Sequence, residues 1–306
     1  MTQWTKLGQI YLPATEGRHP KLLSHAANPL PVHIEGDTYR IFFNGRDREN
    51  RSSVGAVDVD IVQRRVIREH HQPFFEHGPK DSFYADGVSI GNCYIANGVR
   101  YMPFMGWQVP REGHWRGDIG RLVVNPDLTL QLDEKSPFMT ADDIDPISLS
   151  YPWALEKEHG GYLMWYGSTR AWDAGNGEML HVINSASSAD GHHWSRDGLA
   201  IPYEIGLAQV FSRPTVVTDA RGAYEMWFSF RSGSGEKYRI GYANSDDGTK
   251  WKLDLKRTGL SVSSVGWDSE MVEYPFVFDH SGQRYMLYNG NGYGKTGFGL
   301  AVLTND

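Results

Sequence analysis

The chain has a single cysteine, Cys93, in 306 residues, which excludes an internal disulfide and with it the disulfide-stapled class of small secreted folds. It also lacks any apolar stretch near the ~20 residues that a bilayer-spanning helix needs, and Met1-Thr2-Gln3-Trp4 does not begin a signal peptide. A soluble cytoplasmic protein is therefore expected. Basic residues are in deficit: 30 Lys and Arg against 37 Asp and Glu leave a net charge of −7, which argues against a nucleic-acid partner. HExxH, CxxC and P-loop motifs are all missing, and His114, His181 and His193 lack metal-ligand spacing, so no metal and no cofactor is expected. Nor is there a Pro/Ser-rich or low-complexity linker, which favours one domain over residues 1–306.

What the chain does have is a short pattern repeated five times. A residue followed by Pro or Gly opens an apolar run, a polar turn follows, and a Tyr heads a second, aromatic run. The openings are Asn28-Pro29, Asp86-Gly87, Tyr151-Pro152, Arg213-Pro214 and Tyr274-Pro275, and the Tyr residues are Tyr39, Tyr101, Tyr162, Tyr224 and Tyr285. Opening and Tyr lie 11, 15, 11, 11 and 11 residues apart, and successive openings 58, 65, 62 and 61 apart. Short apolar runs alternating with aromatic runs of high β propensity read as strands, and a third run follows each pair after a variable loop. Self-similarity at this period, with sheet edges that need covering, predicts an all-β, five-bladed β-propeller with a central funnel-shaped site. Trp4 to Leu12 lies outside the repeat and is free to pair with the last unit and close the ring.

Topology then says where chemistry can sit. If each first strand starts near the axis at one face, the antiparallel second strand ends at that same face. The mouth therefore collects Asn28, Asp86, Tyr151, Arg213 and Tyr274 from the openings, and Arg46, Asp47, Trp107, Arg170, Arg231 and Asn291 from beyond the second strands. His25, three residues before the first opening, is either a base or a packing residue. Arginine suits bidentate recognition of carboxylate or phosphate, so the convergence of Arg46, Arg51, Arg170, Arg213 and Arg231 points to an anionic sugar or glycan.

Ser188-Ala189-Asp190-Gly191-His192-His193-Trp194 and Ser245-Asp246-Asp247-Gly248-Thr249-Lys250-Trp251 follow third strands and read as turn devices. With the five units, they make the chain resemble the glycosidase propeller superfamily of arabinanase, xylosidase, invertase and mannoside-phosphorylase types. Asn44 to Ser52 and Gly266 to Pro275 resemble segments of glycosidase-like proteins from bacterial surface-polysaccharide gene clusters. In arabinanase-type relatives the first, third and fourth openings carry a base Asp, an orienting Asp and an acid Glu. Here those positions are Asn28, Tyr151 and Arg213, so that assignment does not transfer.

Three acids are candidates for a relocated catalytic set. Asp86 is the only carboxylate at an opening, Glu273 stands just before an opening where the other units have Ala27, Ala85, Ser150 and Ser212, and Glu270 lies three residues upstream. A raised pKa on one and an ionised state on another give an acid and a base. The expected function is cleavage or transfer at a glycosidic bond of an acidic or phosphorylated sugar, most simply as a glycoside hydrolase. A phosphorylase or transferase of surface-polysaccharide biosynthesis, and a propeller that binds a glycan or sugar nucleotide without turnover, stay open as alternatives.

Overall fold

A computed structural model describes residues 2–110, 113–219 and 221–305. The described residues form 21 β-strands and two short 3-10 turns, with no α-helix among them. The strands form three sheets; in two of them a single parallel pair, Ser52 with Gly87 or His181 with Val210, joins two antiparallel groups, and the groups follow sequence order. The first is Ser24–Glu35, Thr38–Arg46, Ser52–Asp60 and Arg65–Phe75, and the second is Gly87–Ile90 with Tyr94–Ala96, Val99–Gln108, Arg116–Val124 and Leu130–Leu132. Two more follow, running from Ser148–Glu156 to Ser195–Leu199 and from Val210–Thr218 to Lys252–Leu253. The last joins Glu273–His280, Gln283–Asn289 and Phe298–Asn305 to the N-terminal strand Thr2–Tyr11, which pairs antiparallel with Phe298–Asn305. Second strands sit mid-group and pack on both faces, which is why Ile41, Phe42 and Phe43 can follow one another and all be buried.

The inner strands share one local device. Asn28, Tyr151, Arg213 and Tyr274 have φ of 54°, 41°, 49° and 52°, and each is followed by Pro. Pro has no N–H for the ladder, and a left-handed residue before it turns the chain, so the register shifts at every one of these points. Left-handed non-glycine residues cost on the order of 1–3 kcal/mol each and persist only where the surroundings over-determine them. They are over-determined here. The Asn28 N–H donates to Asn289 Oδ1 (2.9 Å) and the Tyr274 N–H to Ser229 Oγ (2.7 Å), each on the second strand of the preceding group.

The same bond identifies the second opening, and it is not Asp86-Gly87. The Ile90 N–H donates to Asn44 Oδ1 (3.1 Å) on the preceding group's second strand, and the register shift falls after Ile90. With Ile90-Gly91 as the opening, the distance to Tyr101 becomes 11, and successive openings lie 62, 61, 62 and 61 residues apart. Asp86 thus lies four residues ahead of the opening, before the strand Gly87–Ile90 begins.

Candidate functional site

Second strands end, and third strands begin, around a cavity of about 370 Å³, within the usual size range of small-molecule sites. Its walls include Arg46, Trp107, Tyr151, Arg231 and Tyr274 from the residues singled out in the sequence, together with Asn50, Ser89, Trp115, His181, Ser212, Tyr238 and Tyr293. The second set comes mostly from the loops after second strands and the starts of third strands. An antiparallel third strand starts at the mouth where the second one ended, so these positions were open to the same topological reasoning; the variable loop length hides their alignment in sequence.

Glu273 does not line this cavity but directly precedes the lining residue Tyr274, buried behind the wall. The position before each opening faces the axis: Ser89 and Ser212 line the cavity and Ser150 bonds the lining residue His181. Four groups place Ala27, Ser89, Ser150 and Ser212 there, and the fifth places a glutamate. Glu273 is fully buried, and neither carboxyl oxygen makes a hydrogen bond within geometric limits, although the Tyr293 N–H lies close enough to favour the ionised form slightly. Burial holds its pKa well above the usual carboxyl range, against the opposing positive charges of Arg231 and Arg46. A buried acid without partners, next to two cavity arginines, is a pattern of functional sites rather than of cores.

Around Glu273 the polar groups are mutually held. Tyr151 and Tyr274 bring their hydroxyls to 3.3 Å, and burial raises the pKa of both. Arg231 donates to Glu178 Oε1 (3.0 Å) and lies over the Tyr238 ring at 4.8 Å, so the ion pair and the aromatic face fix its direction. Arg46 is anchored by Asn50 through its carbonyl (3.2 Å) and Oδ1 (2.8 Å). His181 meets Ser150 Oγ at 2.7 Å and Thr169 Oγ1 at 2.8 Å; burial, with Arg231 adding to it, pulls its pKa down to about 3, so the ring is neutral. Trp107 and Trp115 present aromatic surface to the cavity, and Trp172 stands behind Trp115, edge-on at 5.2 Å.

The other expected site residues lie elsewhere. Asp86 is half-buried on the rim, its Oδ2 accepting from the Val109 N–H (2.6 Å). Glu270 is exposed and ion-paired with Lys237, so the loop that holds it turns it outward from the cavity. Arg213 is buried on the axis: NH1 donates to Tyr274 O (2.9 Å) and NH2 to Pro29 O (3.1 Å), with Gly91 O at 3.5 Å. Backbone carbonyls occupy the guanidinium that was expected to meet an anion. Asn28 is buried and bonds Asn44 Oδ1 (3.1 Å), and Asn291 pins the loop before Glu273 by accepting from the Glu270 N–H (2.8 Å). Asp47 is closed in a bidentate arrangement with Arg51, through its N–H and Nε at 2.8 Å each. His25 touches Ser24 Oγ (2.9 Å), and burial lowers its pKa to about 4. Arg170 is half-buried and is not among the cavity residues.

No family model matches the chain. Two curated proteins of Mycobacterium tuberculosis do: "Uncharacterized protein MT1551" of strain CDC 1551 / Oshkosh and "Uncharacterized protein Rv1502" of strain H37Rv. Each is 44% identical over 304 residues, covering 99% of this chain and 99% of the relative. Among solved structures, that of BT0996 in an RGII complex superposes with TM-score 0.77 at 13% identity, covering 98% of this chain and 91% of that one. A structure from the GH130 family of mannoside phosphorylases, which contains glycoside hydrolases targeting β-1,2 mannosidic linkages, gives 0.71 at 11% identity over 99% and 93% of the two chains. The endo-arabinase of Bacteroides thetaiotaomicron gives 0.63 at 15% identity over 96% of each. At these identities the likeness establishes the fold, an all-β propeller of the glycoside hydrolase kind.

Proposed function

Since the chain belongs to one family with the mycobacterial proteins MT1551 and Rv1502 and has the β-propeller of glycoside hydrolases, we propose that it is a carbohydrate-active enzyme acting at a glycosidic bond of an anionic sugar. In this reading residues 1–306 form one five-bladed propeller, one blade per strand group, and the cavity at its mouth is the active site. Glu273 is the general acid. The observation that carries the reading is a fully buried carboxyl without hydrogen-bond partners, placed beside Arg231 and Arg46 at the one pre-opening position that is not small. Burial raises its pKa and so favours the protonated form, which an acid needs in order to protonate a leaving oxygen. Arg46 and Arg231 would hold the anionic group, and Trp107 and Trp115 the apolar faces of the sugar ring.

A second reading rests on the acids. No carboxylate lines the described cavity, and two-carboxylate hydrolysis needs a base or nucleophile opposite the acid. Phosphorolysis does not: phosphate attacks the anomeric carbon, the sugar–oxygen bond breaks, and one acid protonates the departing oxygen. The same two arginines would then seat phosphate. Incubating the protein with uronides, sialosides and sugar phosphates, with and without inorganic phosphate, separates the readings by product, free sugar or sugar 1-phosphate. On a competent substrate Glu273→Gln is expected to lower kcat by at least ~100-fold with KM little changed. Full activity in Glu273→Gln would refute the assignment, and binding without turnover across the panel would leave a glycan-binding propeller.

A further inference from the structure

Arg213 is a buried cation, 2% exposed, with no ion-paired carboxylate among the described residues. Taking a guanidinium out of water is costly, and replacing buried charges by apolar groups is often neutral or stabilising, so a buried arginine without a counter-ion needs a reason. Burial lowers its pKa to about 9, with Tyr151 and Tyr274 opposing the shift, which still leaves it charged at neutral pH. Its bonds go to carbonyls of three strand groups other than its own: Tyr274 O, Pro29 O and, more weakly at 3.5 Å, Gly91 O. The Phe276 ring lies 5.7 Å from the guanidinium carbon.

The strongest of these bonds falls on the residue where positioning matters most. Tyr274 is left-handed, at φ 52°, and follows Glu273 directly. Its N–H is held by Ser229 Oγ, its C=O by Arg213, and the next carbonyl, Pro275 O, by Thr215 Oγ1 at 2.9 Å. Three side chains of the fourth group thus clamp the peptides on both sides of Tyr274. We propose that Arg213 is a positioning residue for the site: its guanidinium, braced on the carbonyls of Pro29 and Gly91, fixes the strained Tyr274 peptide and thereby the aim of Glu273. This rests on the reading of Glu273 as the working acid. Arg213 touches no ligand in it: it is buried, and both of its terminal nitrogens are taken up by carbonyls.

Two measurements on the full chain test the proposal, neither of them catalytic. The infrared band of a protonated carboxyl, assigned to Glu273 by its loss in Glu273→Gln, reports how that group is held. Melting reports the clamp. In Arg213→Met, uncharged and of similar length, three carbonyls lose their donor; the expected results are a displaced or vanished Glu273 band and a Tm lower by roughly 5–10 °C. Adding millimolar methylguanidinium to Arg213→Ala should return the band toward its wild-type position. Should the uncharged variants fail to fold, Arg213→Lys carries the test, because one ammonium cannot span the three carbonyls in fork geometry and the band should move in a folded protein. A wild-type band in folded Arg213→Met or Arg213→Lys would overturn the proposal, as would a wild-type spectrum with no band that Glu273→Gln removes. Loss of turnover in Glu273→Gln together with an unmoved band in the Arg213 variants would sink the positioning role alone, and leave the acid assignment standing.

Discussion

Glu273 could be picked out from sequence because an equivalent position exists in every strand group, and only here is it occupied by a large acid. Asp86 and Arg213 show where that logic fails. Asp-Gly imitates an opening, and only the 15-residue offset to Tyr101, against 11 in the other units, marked it as out of register with Ile90, whose N–H donates to Asn44. An arginine satisfied by backbone carbonyls has no partner residue to look for, and the pairing of Glu270 with Lys237 depends on how a loop folds. The burial of Glu273 and His181 also leaves a mark on stability. Burial raises the Glu273 pKa, so above 4.5 there is a window in which the folded chain keeps a proton that the unfolded chain has released. Its contribution is complete below 4.5 and is lost as pH rises through that window. His181 works the other way, complete above 6.5 and lost as pH falls from 6.5 toward about 3, because only the unfolded chain binds the proton there. Melting followed from about pH 5 to 9 should therefore show wild type losing Tm on the alkaline side, with the slope reduced in Glu273→Gln, which stays neutral throughout. Parallel slopes in the two proteins would mean that Glu273 does not hold its proton in the fold.

The strand groups were legible because their turns and bulges have fixed chemistry. Residue-Pro marks the bulge of the inner strand, and the Tyr-headed run marks the second strand. The two Ser-x-Asp-Gly turns are structural as well: Asp190 Oδ1 accepts from the His192 and His193 N–H groups at 2.8 and 2.9 Å, and Asp247 Oδ1 accepts from those of Thr249 and Lys250 at 2.8 Å each. These bonds to the ionised form hold both carboxyls below their usual range. The turns then latch neighbouring groups, Gly191 O accepting from Tyr94 (2.9 Å) and Gly248 O from Trp165 (3.1 Å). The second group departs from the pattern because its inner strand opens on Ile90-Gly91 and has no Pro. Glycine is required there by space: a Cβ on Gly91 would lie 2.0 Å from Pro152 O in the next group, and backbone cannot yield cheaply. Gly91→Ala is therefore expected to destabilise by about 3 kcal/mol or more, the upper range for overpacking. By melting that is a fall of at least about 6 °C for a chain of this size. A wild-type Tm would mean that the axis is loosely packed and that Ile90-Gly91 is not the constrained opening described above.

At the scale of the whole molecule, closure depends on the two ends of the chain meeting. Thr2–Tyr11 pairs along Phe298–Asn305, and the contact is more than a ladder. Trp4 is buried edge-on against Trp227 of the fourth group (5.7 Å), Tyr11 packs on Phe43 of the first (5.4 Å) and on Phe298 (5.5 Å), and Lys6 pairs with the buried Asp268 at 2.6 Å. One strand thus joins the last group to its neighbours on both sides. Fit at its end is tight: Gly297, at φ +76°, lies where a Cβ would come within 1.9 Å of Tyr11 O. Removing residues 1–11 would strip two buried aromatics and free the outer edge of Phe298–Asn305, which would keep its pairing with Gln283–Asn289, leaving an exposed edge of the kind that recruits other chains. Burying an aromatic side chain contributes roughly 1.5–3 kcal/mol, so two of them plus the ladder approach the whole stability of an ordinary domain. The truncated chain is expected either to melt well below wild type or to associate through the exposed edge, read by melting and by size-exclusion chromatography with light scattering. Restoring the segment as a separate synthetic peptide should recover the wild-type association state if ring closure is its role. A truncated protein with the wild-type association state and an unchanged Tm would show that the remaining strand groups hold their arrangement without it.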